Sequence, residues 1–354
     1  MQKTAQYFEA LLDQNKPAQV LKELGKTSTK DWQKLFIIAE AKRMLGSFEE
    51  AIKNYQQALK NISKTSAEDK IDLLLALAKC ERTLGRAANA YKNANLAQKL
   101  AQKAELEDFA FLALQEKALA LRAQGKLQDA KVLLNTTLNY YQEQGEIAGQ
   151  SFIYWALGGI SRLEGNFEQG IFEFKKSITL AKKAKDKIAT AYGVCGLAGI
   201  SRIAGNIKDC VKNYQLAAKL FKNTDDVFGK AYTNCGLANG LRQLGDYKKA
   251  IKHYIVADKL YSSINDTVDL GFVKWGKADI LKHQGNLKEA LKTLLEAKNL
   301  FSSSDEIRGQ LLTEISLAQI YYLQGLKKQA DTIYDKAVAR AKKEGLRTYL
   351  ESLT

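Results

Sequence analysis

A glycine returns along this chain at residues 46, 85, 125, 165, 205, 245, 285 and 325, at one interval of 39 residues and six of 40. Self-similarity at a fixed period marks a repeat array, in which each unit buries its apolar face against its neighbours instead of joining one central core. Segment 231–270 repeats segment 191–230. Upstream of each glycine lies an apolar run of about 13 residues with helical spacing, and a second run follows, as in Tyr247–Leu260. Glycine after a helix enters the left-handed region without a Cβ penalty. Each unit therefore reads as helix A, tight turn, helix B. With the glycine as the fifteenth residue, eight units occupy 32–70, 71–110, 111–150, 151–190, 191–230, 231–270, 271–310 and 311–350. Residues 1–31 read as a degenerate capping hairpin, with helices over 4–14 and 17–24. There Asn15 takes the place of the turn glycine, and Pro17 suits a first helical turn. The polar stretch 344–354 suits a C-terminal cap, with 351–354 as a tail.

Composition supports helices over strands. Pro17 is the sole proline of 354 residues, so almost nothing interrupts a helix. The net charge of +15 favours acidic partners or polyanions. No run of 18 apolar residues is present, so no membrane span is expected. The amphipathic first residues lack the apolar core of a signal peptide, which points to a cytoplasmic protein. Cys80, Cys195, Cys210 and Cys235 form neither a disulfide pattern nor a CxxC pair. Cys195 and Cys235 hold the same place in successive units. Packed helices lie about 8–10 Å apart, whereas a disulfide needs Cα atoms within about 7 Å, so reduced thiols are expected.

Aligned on the glycine, the units show further columns. The eighth residue is Ala39, Ala78, Ala118, Gly158, Ala198, Ala238, Ala278 and Ala318, and the twentieth is Ala51, Ala90, Ala130, Gly170, Cys210, Ala250, Ala290 and Ala330. Small residues let two helix backbones approach. The twenty-fourth is mostly large, including Tyr55, Phe174, Tyr214, Tyr254 and Tyr334, and the twenty-seventh is small again. This pattern resembles the tetratricopeptide repeat family, whose motif appears in unit six as Leu237, Ala238, Gly245, Tyr247, Ala250, Tyr254 and Ala257. The resemblance runs through all eight units. It departs from the family in its period, which is 40 rather than 34, and in lacking the proline that ends helix B. It looks like the long-repeat variety of LGN/Pins proteins, kinesin light chains and bacterial peptide-sensing regulators, with helix B lengthened. It implies an all-α, right-handed α-solenoid of helix-turn-helix repeats forming one superhelix.

Signs of catalysis are poor. His253 and His283 are the only histidines and lie in different units, so no Ser-His-Asp or Cys-His set is suggested. Gly271–Ala278 (GFVKWGKA) falls one residue short of a phosphate loop and sits inside a helix A rather than after a strand. Acids between units, among them Asp186, Asp225, Asp226, Asp266 and Asp305, read as helix N-caps. The expectation is a chain that is no enzyme, with no metal site and no cofactor.

In the family resembled, helix A lines a concave groove through positions two, five, nine, twelve and thirteen, of which the first four share one stripe of a helix. Here the twelfth residue is Arg43, Arg82, Arg122, Arg162, Arg202, Arg242, Lys282 and Tyr322. Six of only ten arginines thus stand in one column, which takes just one of the 44 lysines, Lys282. Arginine's planar fork grips carboxylate or phosphate bidentately. Position two gives Phe152, Tyr192, Tyr232 and Phe272; position five gives Trp155, Cys195, Cys235 and Trp275. Position six is Ala156, Gly196, Gly236 and Gly276, and Asn239 stands at nine. Units four to seven then combine aromatic walls, an arginine rail and a glycine floor with room for a ligand backbone. Other readings stand beside this one. The position-two aromatics could be inter-repeat packing, and the arginines could pair with Asp279, Glu164 or acids on helix B. The leading expectation is a protein-binding scaffold whose basic groove, built from Arg122, Arg162, Arg202 and Arg242 with the aromatics and Asn239, takes an extended acidic peptide or protein segment. The rivals are single-stranded RNA or DNA, for which arginine and aromatic rungs also serve, and a regulatory module closing on a signal peptide.

Overall fold

The computed structural model describes residues 4–14, 16–24, 29–62, 66–302, 304, 306–344 and 346. Asn15, Asp305 and the tail 351–354 lie outside the described residues, as does most of the stretch proposed as a C-terminal cap. Among those described, the chain forms eighteen helices and no strand. They fall into two compact units, Met1–Leu133 with Ser263–Asp266, and Leu134–Ser262 with Thr267–Thr354.

The first unit holds α1 (Ala5–Asp13), α2 (Pro17–Leu24), α3 (Trp32–Met44), α4 (Phe48–Asn61), α5 (Ala67–Thr83), α6 (Ala87–Lys103) and α7 (Glu107–Ala123). Pro17 opens α2, where its missing N–H is no loss. Phe8, Leu11, Val20 and Leu24 of the first two helices bury themselves against Ile37, Ile38 and Ala41 of α3. Helix α8 (Leu127–Glu143) begins in the first unit and ends in the second. The second unit continues with α9 (Ile147–Glu164), α10 (Phe167–Lys183), α11 (Lys187–Ile203), α12 (Ile207–Phe221), α13 (Val227–Gln243), α14 (Tyr247–Ser263), α15 (Thr267–His283), α16 (Leu287–Ser302), α17 (Ile307–Leu323) and α18 (Lys327–Lys343). The odd-numbered helices here are the A helices. α9, α11, α15 and α17 each pack on the following B helix, α13 is hydrogen-bonded to α14 through Asn234 and Asn239, and α9, α11, α13, α15 and α17 also touch in succession, so the A helices form one layer.

The column glycines behave as expected. All eight take φ between +72° and +83°. The residue after each donates its N–H to the carbonyl five positions back in the A–B turn, as in Asn206 to Ser201 at 2.8 Å and Asp246 to Leu241 at 3.0 Å. This is the Schellman closure, which satisfies carbonyls that the helix end leaves open. The turn from helix B to the next helix A uses a second left-handed residue, Glu105, Gly145, Lys185 or Asn265. No glycine column announces that turn, because all but one of these are larger residues. Asp186 and Asp226 cap α11 and α13, accepting N–H bonds from Ala189 and Gly229 at 2.8 and 2.7 Å.

The long period is realised differently from the expectation. From α5 onward the A helices run 17 or 18 residues and begin four residues before the unit boundaries, and most B helices also run 17. The extra length is thus shared by both helices and not confined to helix B. The small columns lie in the interfaces: Ala39, Ala118, Ala198 and Ala238, and Ala51, Ala130, Cys210, Ala250 and Ala290, are fully buried.

Candidate functional site: the A-helix face of the second unit

Position six is where the structure most changes the sequence reading. The glycines there do not form an open floor. A Cβ on Gly196, Gly236 or Gly276 would collide with the ring of Phe174, Tyr214 or Tyr254, the position-twenty-four residue of the preceding repeat's helix B. Those rings are at most 4% exposed. Each glycine is therefore the socket of an aromatic plug, and the space assigned to a ligand is filled by the protein itself. Position nine works in a related way. A Cβ on Gly199 would come within 2.7 Å of the Arg162 guanidinium, so the missing side chain makes room for an arginine from the repeat before.

The arginine column is built into the fold to a similar degree. Its members sit in the last turn of helix A, where a cation meets the negative end of the helix dipole. In the first unit Arg43 pairs with Glu40 at 2.6 Å, Arg82 lies 3.6 Å from Glu116, and Arg122 is half-buried at the end of α7. In the second unit Arg242 crosses to α15 and forms an ion pair with Asp279, position nine of the next repeat. Lys282 repeats the same step, donating to Gln319 at 2.5 Å. The offset is 37 residues, one period less three. Arg162 over Gly199 follows it too, while Arg202 lies near Cys210, Tyr214 and Cys235. The pairing with Asp279 weighed from the sequence is thus the one Arg242 adopts, and this arginine is no solvent-facing rail.

The aromatics are partly packing as well. Phe152 and Trp155 are 5.6 Å apart, Trp155 and Tyr192 6.5 Å, Tyr192 and Phe228 6.4 Å, and Phe228 and Tyr232 6.0 Å and stacked. Tyr192 also meets Phe221 edge-on at 5.1 Å, and its hydroxyl donates to Asp226 at 2.8 Å. The carboxylate that caps α13 thus also holds the position-two tyrosine of the repeat before. Removing that hydroxyl in Tyr192→Phe is expected to lower stability by about 1–2 kcal/mol, since a hydrogen bond to a charged group is lost. Urea denaturation measures it, and an unchanged midpoint would mean the bond contributes nothing. Phe272 packs against Phe301 at 4.8 Å, with the Arg308 guanidinium 4.7 Å above its ring. Asn239 is committed internally, accepting from the Tyr254 hydroxyl at 2.7 Å.

A cleft of about 590 Å³ lies open between α13, α15 and α17. Trp275 forms one wall. It is 8% exposed, donates Nε1–H to Ser316 at 2.9 Å, and carries the Arg242 guanidinium 4.8 Å over its face. Leu312 and Ile315 add apolar surface, and Tyr247 stacks on His283 at the rim with centroids 6.0 Å apart. Burial works against the Arg242 charge, but Tyr254 and Asp279 outweigh it and hold the guanidinium above its ordinary value. Burial likewise opposes the Asp279 charge, yet Arg242 and Lys282 hold that carboxyl below the usual range. Burial pushes the Tyr254 phenol up to about 12, so it stays a neutral donor to Asn239. The cleft can therefore offer charge and an aromatic wall, and its charges are paired at rest. Of its members, sequence reasoning singled out Arg242, Trp275 and, as a pairing acid, Asp279. It missed Ser316, Gln319 and the rim role of His283. The 37-residue offset between positions twelve and nine is the signal that leads to Gln319.

The other chemistry-bearing residues are quiet. The four cysteines are buried free thiols, with Cys195 and Cys235 pushed up to about 12 by burial, so neither is a ready nucleophile. His253 bonds Asn234 at 2.9 Å. Gly271–Ala278 lies inside α15 and forms no loop. No helix among the described residues is long and apolar enough to cross a membrane.

No protein-family model and no curated protein matches the sequence. Solved structures do match. A Rap protein complexed with competence and sporulation factor is 14% identical, and the alignment covers 96% of this chain and 95% of that one with a TM-score of 0.72. NprR in complex with its cognate peptide NprX is 10% identical over 86% of this chain and 87% of its own, with a TM-score of 0.66. A STAND signal-transduction ATPase with a tetratricopeptide repeat sensor, from Pyrococcus horikoshii, is 18% identical over 99% of this chain and 55% of that chain, with a TM-score of 0.53. At such identities the likeness is one of fold: this chain is an all-α array of tetratricopeptide-like repeats.

Proposed function

We propose that the chain is a non-enzymatic, cytoplasmic peptide-binding protein, and that the A-helix face of its second unit takes an extended acidic segment. The cleft beside Trp275 carries this reading. It joins an aromatic wall, apolar surface and two cations against one carboxylate, the mixture that holds a side chain by contact area and by charge. Two chains of similar fold were solved with a bound factor or peptide, which supports the same use here. The single-stranded nucleic acid alternative draws less support, because stacking needs free ring faces, whereas the Arg242 guanidinium already lies 4.8 Å over the Trp275 ring and Phe228 stacks on Tyr232.

The test compares two probes on the full chain across a salt series. One is a random heptapeptide display pool and the other an unstructured single-stranded oligonucleotide. Peptides that enrich and bind at about micromolar Kd, with shallow salt dependence, are the expected result. Tight oligonucleotide binding whose log affinity falls at about 0.7 per phosphate with log salt would overturn it.

A further inference from the structure

Three basic side chains converge on one carboxylate in the cleft. Asp279 accepts from Arg242, bonds Lys282 at 2.8 Å, and lies 3.7 Å from His283 Nε2. Lys282 and His283 stand three and four residues after it on α15, so all three share one face of that helix. Arg242 reaches across from α13. Its side chain is 9% exposed, and its buried Nε has no hydrogen-bond partner. Among the described residues no other carboxylate lines the cleft, so Arg242 and Lys282 face one anion.

The fold does not ask for an acid at this place. Position nine is Gly199 and Asn239 in the two preceding repeats, and the arginines before them, Arg162 and Arg202, stand in their helices all the same. The first repeat also has an acid at position nine, Glu40, paired with Arg43 of its own repeat; in the second unit Asp279 is the one acid at that position, and it coincides with the open cleft. A carboxylate there neutralises groups that would otherwise meet an incoming anion.

We infer that this cleft is the subsite for an aspartate or glutamate side chain of the bound peptide, and that Asp279 is an internal carboxylate which the ligand's acid displaces from Arg242 and Lys282. The inference rests on the peptide-binding reading above. The ligand's methylene groups lie on Trp275, Ser316 and Gln319 supply neutral hydrogen bonds, and the unsatisfied Arg242 Nε gains an acceptor. Selectivity follows from charge: an amide in place of the acid cannot compete with Asp279.

The experiment selects a random heptapeptide pool, tethered through its C-terminus so that every carboxylate comes from a side chain, on the full-length protein and on its Lys282→Met variant. The wild type is expected to enrich one acidic position, and Lys282→Met to keep the other positions but lose that preference. A selected acidic peptide is then measured on Asp279→Asn, which keeps size and one hydrogen-bond acceptor. Affinity is expected to rise about tenfold, the factor that corresponds to about 1.4 kcal/mol, while the peptide's own Asp→Asn or Glu→Gln analogue gains nothing. Circular dichroism checks that both variants are folded; if Asp279→Asn is not, the Lys282→Met selection decides alone. Enriched peptides without an acidic position, an acidic preference that survives Lys282→Met, or equal effects of Asp279→Asn on acid and amide peptides would each overturn the inference and leave the peptide-binding reading standing. If no peptide enriches at all, that reading fails and this inference fails with it.

Discussion

Gly236→Ala is expected to destabilise the protein by roughly 1–3 kcal/mol, the usual effect of overpacking a tight interface. Propensity alone argues the reverse, because replacing an interior helix glycine by alanine gains about 1 kcal/mol. The site decides the sign. The new Cβ would lie inside the contact distance of the Tyr214 ring, which is 4% exposed and enclosed by the next repeat. The measurement is a thermal melt of the single variant beside Tyr214→Ala and the double variant. In the Tyr214→Ala background the glycine substitution is expected to become neutral or stabilising, because contacting residues couple strongly. A melt of Gly236→Ala at or above the wild type would show that the glycine column has another cause, and the open-floor reading would return.

Tyr254→Ala is expected to cost about 3–5 kcal/mol, as truncation of a fully buried aromatic does. The side chain is 0% exposed, plugs the socket at Gly276, and donates to Asn239 beside the Arg242 guanidinium. Tyr254→Phe separates the two contributions. It keeps the plug and is expected to cost about 1–3 kcal/mol, because Asn239 Oδ1 loses its buried donor. Urea midpoints of the two variants measure the difference. Equal losses would assign the whole effect to the hydroxyl and none to the plug, against the packing described here. Repeat arrays gain stability from neighbouring interfaces, so both losses should fall mainly on α13 to α16.

Local signals carried most of the fold. The glycine column told where each helix A ends, since only the left-handed turn it permits closes the A–B connection, and all eight glycines adopt it. The small columns at eight and twenty told which faces meet. The start of helix A was less legible. The turn before it uses Glu105, Lys185 or Asn265 in a left-handed conformation, and those residues carry no such signature in sequence.

The site was legible only as a set of residues, not as an arrangement. By itself the sequence determined that Arg242, Trp275 and their counterparts recur in register on helix A. Tertiary structure decided what they touch. Position twelve meets position nine of the next repeat across 37 residues, and position six receives position twenty-four across 22, as Gly236 receives Tyr214. Helical periodicity fixes which residues share a face within one helix. It says nothing of the rotation and offset between neighbouring helices, which follow from how side chains such as Tyr214 and Tyr254 fill the space that small residues leave. That offset placed the aromatic plugs on the glycines and brought Asp279 under Arg242, and it left a cleft open beside Trp275.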